Sequence, residues 1–302
     1  DPPMLIAFAH VDRSLLVDLL VSGLVSGATY ALAAAGLALI YGVMEVINMA
    51  HGELYMMGAF AAYLGVTDLH LPYLLVLLFA TVALGLFGLI FYDVLLRRLG
   101  TRAQFERGIV LTLGVSLILQ NGAIIIFGAA PKTLTIPLTF KVFHVGGQNL
   151  VASRVYAVIC AVVAFALLYL LLNRTAVGRS MRGAAQNPTA ALMVGINPTR
   201  VARLTVVLGS ALAGLAGCAL TFVYDVHPSV GVPVVFTAFA VIIIGGLGSL
   251  TGTIITAFAL GLTQSYVGGL VSTTLQDAVS FSLMMIVLFL RPQGLFGREV
   301  RL

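Results

Sequence analysis

Four polar side chains stand close together between two apolar stretches of the sequence: Glu45, Asn48, His51 and Glu53. Two carboxylates, an amide and an imidazole within nine residues could relay protons, or line and gate a path for a polar solute. Such groups are costly near the centre of a bilayer, so they should face a cavity or one another, and Gly52 could break a helix there. A short cytoplasmic turn wetted by water is the alternative, and the residues alone leave both interpretations open.

The other chemically active residue types form no catalytic pattern. His51 does not begin an HExxH motif, and neither Lys132 nor Lys141 completes the GxxxxGK[ST] sequence of a phosphate-binding loop. Cys160 and Cys218 both fall inside apolar stretches, which argues against a disulfide framework or a cysteine metal site. We therefore predict no catalytic residue, no metal site, no enzymatic activity and no cofactor in this chain. If transport is driven by ATP, the nucleotide and Mg²⁺ must be bound by other subunits.

A second polar segment, residues 173–203, contains clear signals for a short helix. Asn187 is followed by proline, which suits an N-cap and the first helical position, and Gly195 suits a left-handed stop after the helix-forming stretch Thr189 to Val194. Asn197 is again followed by proline and predicts the start of the next helix.

This capped helix has two explanations. The arginines around it could anchor a simple connector at anionic lipid headgroups. Alternatively, small alanines permit close packing and arginines offer charge-assisted hydrogen bonds, so the helix could dock on a cytoplasmic partner. We favour docking, because a simple connector does not need a capped helix. The predicted docking residues are Arg179, Arg182, Asn187, Thr189, Ala190, Ala191 and Gly195.

The composition shows which elements must position these residues. Of 302 residues, 60% are hydrophobic and only 9% are charged, against about 25% charged in an ordinary soluble domain. The mean hydropathy is +1.10. These values exclude a water-soluble globular domain, a disordered chain and a nucleic-acid-binding protein with a basic face. The chain belongs in a lipid bilayer.

The apolar stretches predict an all-α polytopic membrane protein with about eight transmembrane helices, including broken or half-helices. A stretch of about 20 apolar residues can span the bilayer, whereas stretches of 13 to 15 residues are too short. We predict a tail at 1–14 and one transmembrane domain at 15–302, with the first long stretch retained as a span. The predicted spans are 15–41, 71–96, 108–128, 151–172, 204–224, 253–271 and 274–290, and the short segments are 54–66 and 233–247.

Positive charge predicts the sidedness of the loops, because lysine and arginine accumulate on the cytoplasmic side. Twelve of the 16 basic residues lie in two loops and the tail, which we place in the cytoplasm: Arg97, Arg98, Arg102, Arg107, Arg174, Arg179, Arg182, Arg200, Arg203, Arg291, Arg298 and Arg301. Segment 129–150, with Lys132 and Lys141, and segment 225–232 should face outside. The amino-terminal side depends on whether 54–66 crosses fully, and we expect it to be cytoplasmic.

Several segments are specific enough to show a resemblance: Gly27 to Leu32, Ile47 to Met56, Gly178 to Arg182, Gly195 to Asn197 with Arg200, and Ile244 to Ser249. They resemble the permease subunits of ATP-binding-cassette importers for branched-chain amino acids, and more the H-type than the M-type subunit. The resemblance runs from about Leu19 to Gly297. Thr189 stands where such importers generally carry a glutamate, in a signature whose alanines and glycine correspond to Ala190, Ala191 and Gly195.

The resemblance implies a multi-pass protein of the bacterial inner membrane that moves leucine, isoleucine and valine. Its implied partners are an M-type permease subunit, two cytoplasmic ATP-binding subunits and a periplasmic amino-acid-binding protein, but no nucleic acid. It also implies that the capped helix couples to an ATP-binding subunit. Two alternatives stay open: import of urea or short amides, and proton-coupled secondary transport.

Overall fold

The computed structural model describes residues 13–99, 104–134, 142–145, 148–221 and 225–297. Residues 1–12 of the predicted tail lie outside the described residues, as do Arg102, Lys141, Arg298 and Arg301. The predicted side of the membrane for these residues stays a prediction. The helices are α1 (Arg13–Met44), α2 (His51–Thr67), α3 (Tyr73–Val94), α4 (Gln104–Phe127), α5 (Ala152–Arg174), α6 (Ala176–Gln186), α7 (Pro188–Met193), α8 (Pro198–Leu220), α9 (Gly231–Gly245), α10 (Leu250–Leu270) and α11 (Leu275–Leu290). Strands β1 (Val142–Val145) and β2 (Gln148–Val151) form an antiparallel hairpin between α4 and α5.

The polytopic all-α class is confirmed. Within the described ranges, six helices are long and apolar enough to cross a membrane: α1, α3, α4, α5, α8 and α10. Helices α2, α9 and α11 have 17, 15 and 16 residues, which corresponds to about 22–26 Å and is short of a bilayer core of about 30 Å. Segment 274–290 was predicted as a full span, and its helix is instead a short one. The hairpin and α6 were not predicted.

The direction in which α1 crosses the membrane can be related to the position of residues 291–297, the carboxyl-terminal segment. Its backbone amides at Leu295 and Phe296 donate to the carbonyl oxygens of Ile244 and Gly245, at 2.8 and 3.2 Å, so the turn after α9 lies on the cytoplasmic side with it. The end of α1 also lies there, because a Cβ on Gly42 would stand 3.3 Å from Gly248.

Helix α1 runs antiparallel to α10, with Gly23 beside Leu262 and the Ser265 hydroxyl donating to the Leu19 carbonyl at 2.6 Å. The beginning of α1 therefore lies on the outer side. This placement takes the carboxyl-terminal segment as cytoplasmic, as its arginines predict, and it disagrees with the expected cytoplasmic amino-terminal side, so the two sequence-based predictions cannot both hold.

Helices α3 and α8 pack antiparallel along most of their length. Tyr73 at the start of α3 donates its hydroxyl to the Cys218 carbonyl at 2.7 Å, near the end of α8. At the other end, Arg203 binds Asp93 through two nitrogens, at 2.7 and 3.0 Å from the same carboxylate oxygen. This ion pair joins α3 to the first turns of α8, directly after the cytoplasmic loop.

We expect the Arg203–Asp93 pair to contribute little to stability by itself. Both side chains are about one-third exposed, and such pairs contribute about 0–1 kcal/mol because water screens them. The Arg203→Glu variant places like charges together and should lower the melting temperature slightly, while the double variant Arg203→Glu/Asp93→Arg should restore it. Thermal unfolding in detergent at low and high salt measures both changes. A large loss of stability that the double variant does not restore would contradict this assignment.

Candidate functional site

The polar cluster predicted around residue 48 lies where the chain turns back into the membrane. Helix α1 ends at Met44, yet the imidazole of His51 donates from Nε2 to the carbonyl oxygen of Ala33, at 2.9 Å. Ala33 lies eleven residues, or about 16 Å, before the end of α1. Residues 45–50 therefore run back from the cytoplasmic end to this depth without helical structure. Helix α2 then continues to the outer side.

The start of α2 touches the start of α9. Gly52 and Gly231 approach so closely that a Cβ on Gly52 would stand 2.9 Å from both the Gly231 carbonyl carbon and the Cβ of Val235. From this contact α2 runs outward and α9 runs to the cytoplasmic turn. Two short helices thus begin side by side, an arrangement of broken helices that occurs in transport proteins where backbone is buried by neighbouring helices.

Three of the four predicted polar residues are completely enclosed. Asn48, His51 and Glu53 are at most 2% exposed, while Glu45 is exposed and adopts a left-handed backbone conformation with φ of 55°. This burial does not fit a turn wetted by water. The unpartnered buried polar atoms include Asn48 Nδ2, His51 Nδ1 and Glu53 Oε2.

The buried residues face different helices. The His51 ring lies 3.0 Å from a Cβ placed on Gly36, where α1 approaches α8, whereas Glu53 accepts a hydrogen bond from Ser116 of α4 at 3.0 Å. Asn48 uses its Oδ1 for the Ala50 amide, at 3.1 Å. The structure therefore does not assemble these residues into a relay, and their predicted role in lining or gating a path stays a prediction.

Two residues of α4 hold the returning segment, and the sequence prediction missed both. Thr112 accepts a hydrogen bond from the Met49 amide at 3.0 Å, and Ser116, one turn later, donates to Glu53. The only sequence signal was two hydroxyl residues four positions apart on one face of an apolar helix. Helix α4 is otherwise largely exposed, so these polar contacts help to fix its position.

Ser116→Ala is expected to destabilise the protein by about 1–3 kcal/mol, because it removes the donor that satisfies a buried oxygen of Glu53. Ser282→Ala on the exposed face of α11 serves as the matched control and should leave stability unchanged. Thermal unfolding of the purified chain in detergent measures the difference. Equal melting temperatures for the two variants would show that Glu53 does not depend on Ser116.

The predicted short helix of the cytoplasmic loop is present as α7. The side chain of Asn187 accepts a hydrogen bond from the Ala190 amide at 2.9 Å, which caps the helix, and proline occupies its first position. Gly195 has φ of 82°, the left-handed stop, and Asn197 caps α8 through the Arg200 amide at 3.2 Å. The capping signals in the sequence thus predicted both ends of α7 and the start of α8 correctly.

The exposed tip of α7 consists of three apolar residues that the prediction did not include. Leu192, Met193 and Val194 are 57%, 83% and 76% exposed, on the side of the chain that faces the cytoplasm. Ala191 is buried, whereas Thr189 and Ala190 are exposed as a docking role requires. In the sequence, this surface was indicated by the apolar stretch from Leu192 to Val194, which lies on a short helix between polar segments.

The two predicted arginines differ in their surroundings. Arg182 bonds within the chain, to the Leu172 carbonyl and, at 3.4 Å, to Asn173, so it fastens α6 to the end of α5. Arg179 is exposed and free to meet a partner. Helix α6 begins at an unpredicted cap, where the Thr175 hydroxyl accepts a hydrogen bond from the Gly178 amide at 3.1 Å. Within the described part of the chain, no group of three His, Cys, Asp or Glu residues could hold a metal ion.

Broken helices at membrane depth, buried polar residues beside them and a structured cytoplasmic loop define a polytopic membrane transport protein. Residues 19–288 match the family model described as the permease component of the branched-chain amino acid transport system. The chain belongs to this family, and it is a multi-pass protein of the bacterial inner membrane.

Curated relatives support the same assignment over nearly the whole chain. The chain is 31% identical to the high-affinity branched-chain amino acid transport system permease protein BraD of Pseudomonas aeruginosa, over 92% of this chain and 95% of that protein. It is 33% identical to LivH of Escherichia coli K12, over 92% and 94%. The probable LivH permease of Methanocaldococcus jannaschii is 29% identical, over 88% of both chains. No solved structure matches the chain.

Proposed function

We propose that this chain is the membrane subunit of an ATP-driven importer for branched-chain amino acids. It forms the path together with a second permease chain, receives the amino acid from a periplasmic binding protein and is opened by two cytoplasmic ATP-binding subunits. Those subunits bind the ATP and Mg²⁺. The names of the relatives, which cover more than nine-tenths of the chain in two cases, support the substrate class.

The exposed apolar tip of α7 is the observation that carries the proposed coupling. Three large apolar side chains at 57–83% exposure on a water-facing helix are costly unless a partner covers them. The caps at both ends of α7 hold the tip in one orientation, so docking loses little conformational entropy. Helix α8 continues directly from this loop, so a force on α7 reaches the α3–α8 pair inside the membrane.

Positively charged side chains surround the apolar tip of α7. Arg174, Arg179 and Arg200 are exposed around α7, and the described loop from 173 to 203 contains no acidic residue. A partner groove with apolar walls and an acidic rim would fit both features.

Reconstitution tests this proposal against proton-coupled transport and urea import. Vesicles containing the chain with its permease, ATP-binding and binding-protein partners should take up leucine when ATP is supplied, and urea should not compete. The chain alone should show no uptake under a proton gradient. Gradient-driven uptake by the purified chain, or competition by urea but not by valine, would overturn the proposed function.

A further inference from the structure

Helix α4 contacts the rest of the described chain along one face. On this face, Thr112 and Ser116 bind the returning segment and Glu53, and Phe127 stacks on Phe60 with the ring centroids 4.2 Å apart. Only 11% of the most apolar stretch of α4 is buried, which is the lowest share among the six candidate spans of the described ranges. The rest of α4 must therefore be covered by lipid or by another protein.

The opposite side of α4 carries a continuous exposed stripe, which we call the exposed α4 face. It is formed by Val110, Leu117, Ile118, Asn121 and Ile125, whose spacings of three, four and seven residues place them on one side of the helix. The four apolar members are 52–84% exposed. The exposed α4 face thus points away from α2 and extends along most of the membrane-spanning part of α4.

The exposed α4 face has a polar group at its centre. Asn121 is exposed and lies six residues, or about 9 Å, before the end of α4, which places it inside the hydrocarbon region of a bilayer. Its Nδ2 donates to the Leu117 carbonyl oxygen of the same helix at 2.7 Å, whereas no described residue donates to its Oδ1. An amide oxygen without a hydrogen-bond donor is costly in hydrocarbon, so Asn121 indicates a polar partner at this depth.

Helix α3 shows what a lipid-facing surface of this chain looks like. Its exposed face is formed by Leu78, Phe79, Val82, Leu86 and Ile90, which are 52–61% exposed, and none of these side chains is polar. The exposed α4 face differs from it by the amide of Asn121. Because membrane helices associate through close packing and hydrogen bonds between side chains, this difference favours a protein partner for α4 over lipid alone.

We propose that the exposed α4 face binds a membrane helix of the second permease chain, an inference that rests on the proposed function. The partner helix presents an amide or hydroxyl group that donates to Oδ1 of Asn121, and its apolar side chains pack against Ile118 and Ile125. Acyl chains offer no such donor, and a water-soluble subunit does not reach this depth. Because Thr112 and Ser116 hold the segment before α2 from the other side of α4, a movement of the second permease chain reaches the broken helices through α4.

Photo-crosslinking in membranes that contain the complete importer tests which molecule covers this face. The crosslinking amino acid p-benzoylphenylalanine is incorporated in place of Ile118 or, in a second variant, Ile125, and the adducts are identified by mass spectrometry. Both positions should give adducts with the second permease chain. The same amino acid in place of Leu86, on the exposed face of α3, is the control and should give adducts with lipid only.

Variants of Asn121 test the hydrogen bond itself. Asn121→Leu should reduce the amount of second permease chain that co-purifies in mild detergent by about three- to tenfold, and Asn121→Gln, which keeps the amide, should recover part of it. Ser282→Leu removes a polar group from the exposed face of α11 and should leave co-purification unchanged. The melting temperature of the isolated chain should be the same for all three variants, because Asn121 bonds to no other helix of its own chain.

Two results would overturn this interface while the importer still works. One is adducts of positions 118 and 125 with lipid or with a subunit other than the second permease chain. The other is full co-purification of the second permease chain with Asn121→Leu. A wild-type chain with which no second permease chain co-purifies would instead overturn the proposed function and the interface with it.

Discussion

The Met193→Asp variant is expected to lose ATP-driven uptake almost completely. Met193 is 83% exposed at the tip of α7, so an aspartate there meets water in the isolated chain and should not disturb its folding. In the assembled importer the same carboxylate would be buried against the apolar walls of the docking groove and close to its acidic rim. An uncompensated buried charge costs about 3–5 kcal/mol, which weakens docking by a factor of about 10² to 10⁴.

Three measurements separate lost docking from lost folding in this variant. Leucine uptake into vesicles and co-purification of the ATP-binding subunits should both fall, while the melting temperature of the chain stays unchanged. Thr199→Asp is the matched control, because it adds the same charge at an exposed position at the start of α8. Normal uptake by Met193→Asp would show that the tip of α7 is not covered by a partner and would remove the observation on which the coupling rests.

The cytoplasmic loop was predictable because its signals are local. Asn187 and Gly195 act on backbone groups within a few residues, so residue type and spacing were sufficient to place the ends of α7. The exposure of Met193 was not predictable, because an apolar residue next to a cap can face either the protein or water. Only packing against α6 and α8 decides that Ala191 is buried while Met193 is not.

The polar segment from Glu45 to Glu53 was located by its residue types, but its depth depends on distant parts of the chain. His51 binds a carbonyl 18 positions earlier in α1, and Glu53 binds a hydroxyl 63 positions later in α4. No local rule relates these partners. The same limitation applies to the side on which α1 begins, because the return of residues 45–50 to the depth of Ala33 follows from tertiary packing alone.

The contact between α1 and α5 shows the same dependence on tertiary structure. Ser22 and Arg154 carry no recognisable motif and lie 132 positions apart, yet Arg154 donates to the Ser22 hydroxyl at 3.0 Å. This contact follows from the packing of α1 against α5, which also places Ala157 and Ala161 opposite Val25 and Thr29. Periodicity predicted both helices but could not indicate that they are neighbours.

The Gly52→Ala variant should cause a large loss of stability through a single added methyl group. The added Cβ would stand 2.9 Å from the Gly231 carbonyl carbon and the Val235 Cβ, and closer still to the Gly231 oxygen. The backbone of α9 cannot turn aside as a side chain can, so α2 and α9 must move apart. Overpacking typically costs about 1–3 kcal/mol, and here the displaced helices also carry buried His51 and Glu53.

Gly114→Ala in α4 provides the control for the Gly52→Ala variant. A Cβ there meets nothing within 4 Å, and alanine is favoured over glycine within a helix by about 1 kcal/mol, so this variant should be neutral or slightly more stable. Melting temperatures in detergent and leucine uptake in vesicles measure both variants. If Gly52→Ala melts and transports like wild type, α2 and α9 do not meet at this contact. The broken-helix arrangement would then need a different explanation, because this contact is what joins the starts of α2 and α9.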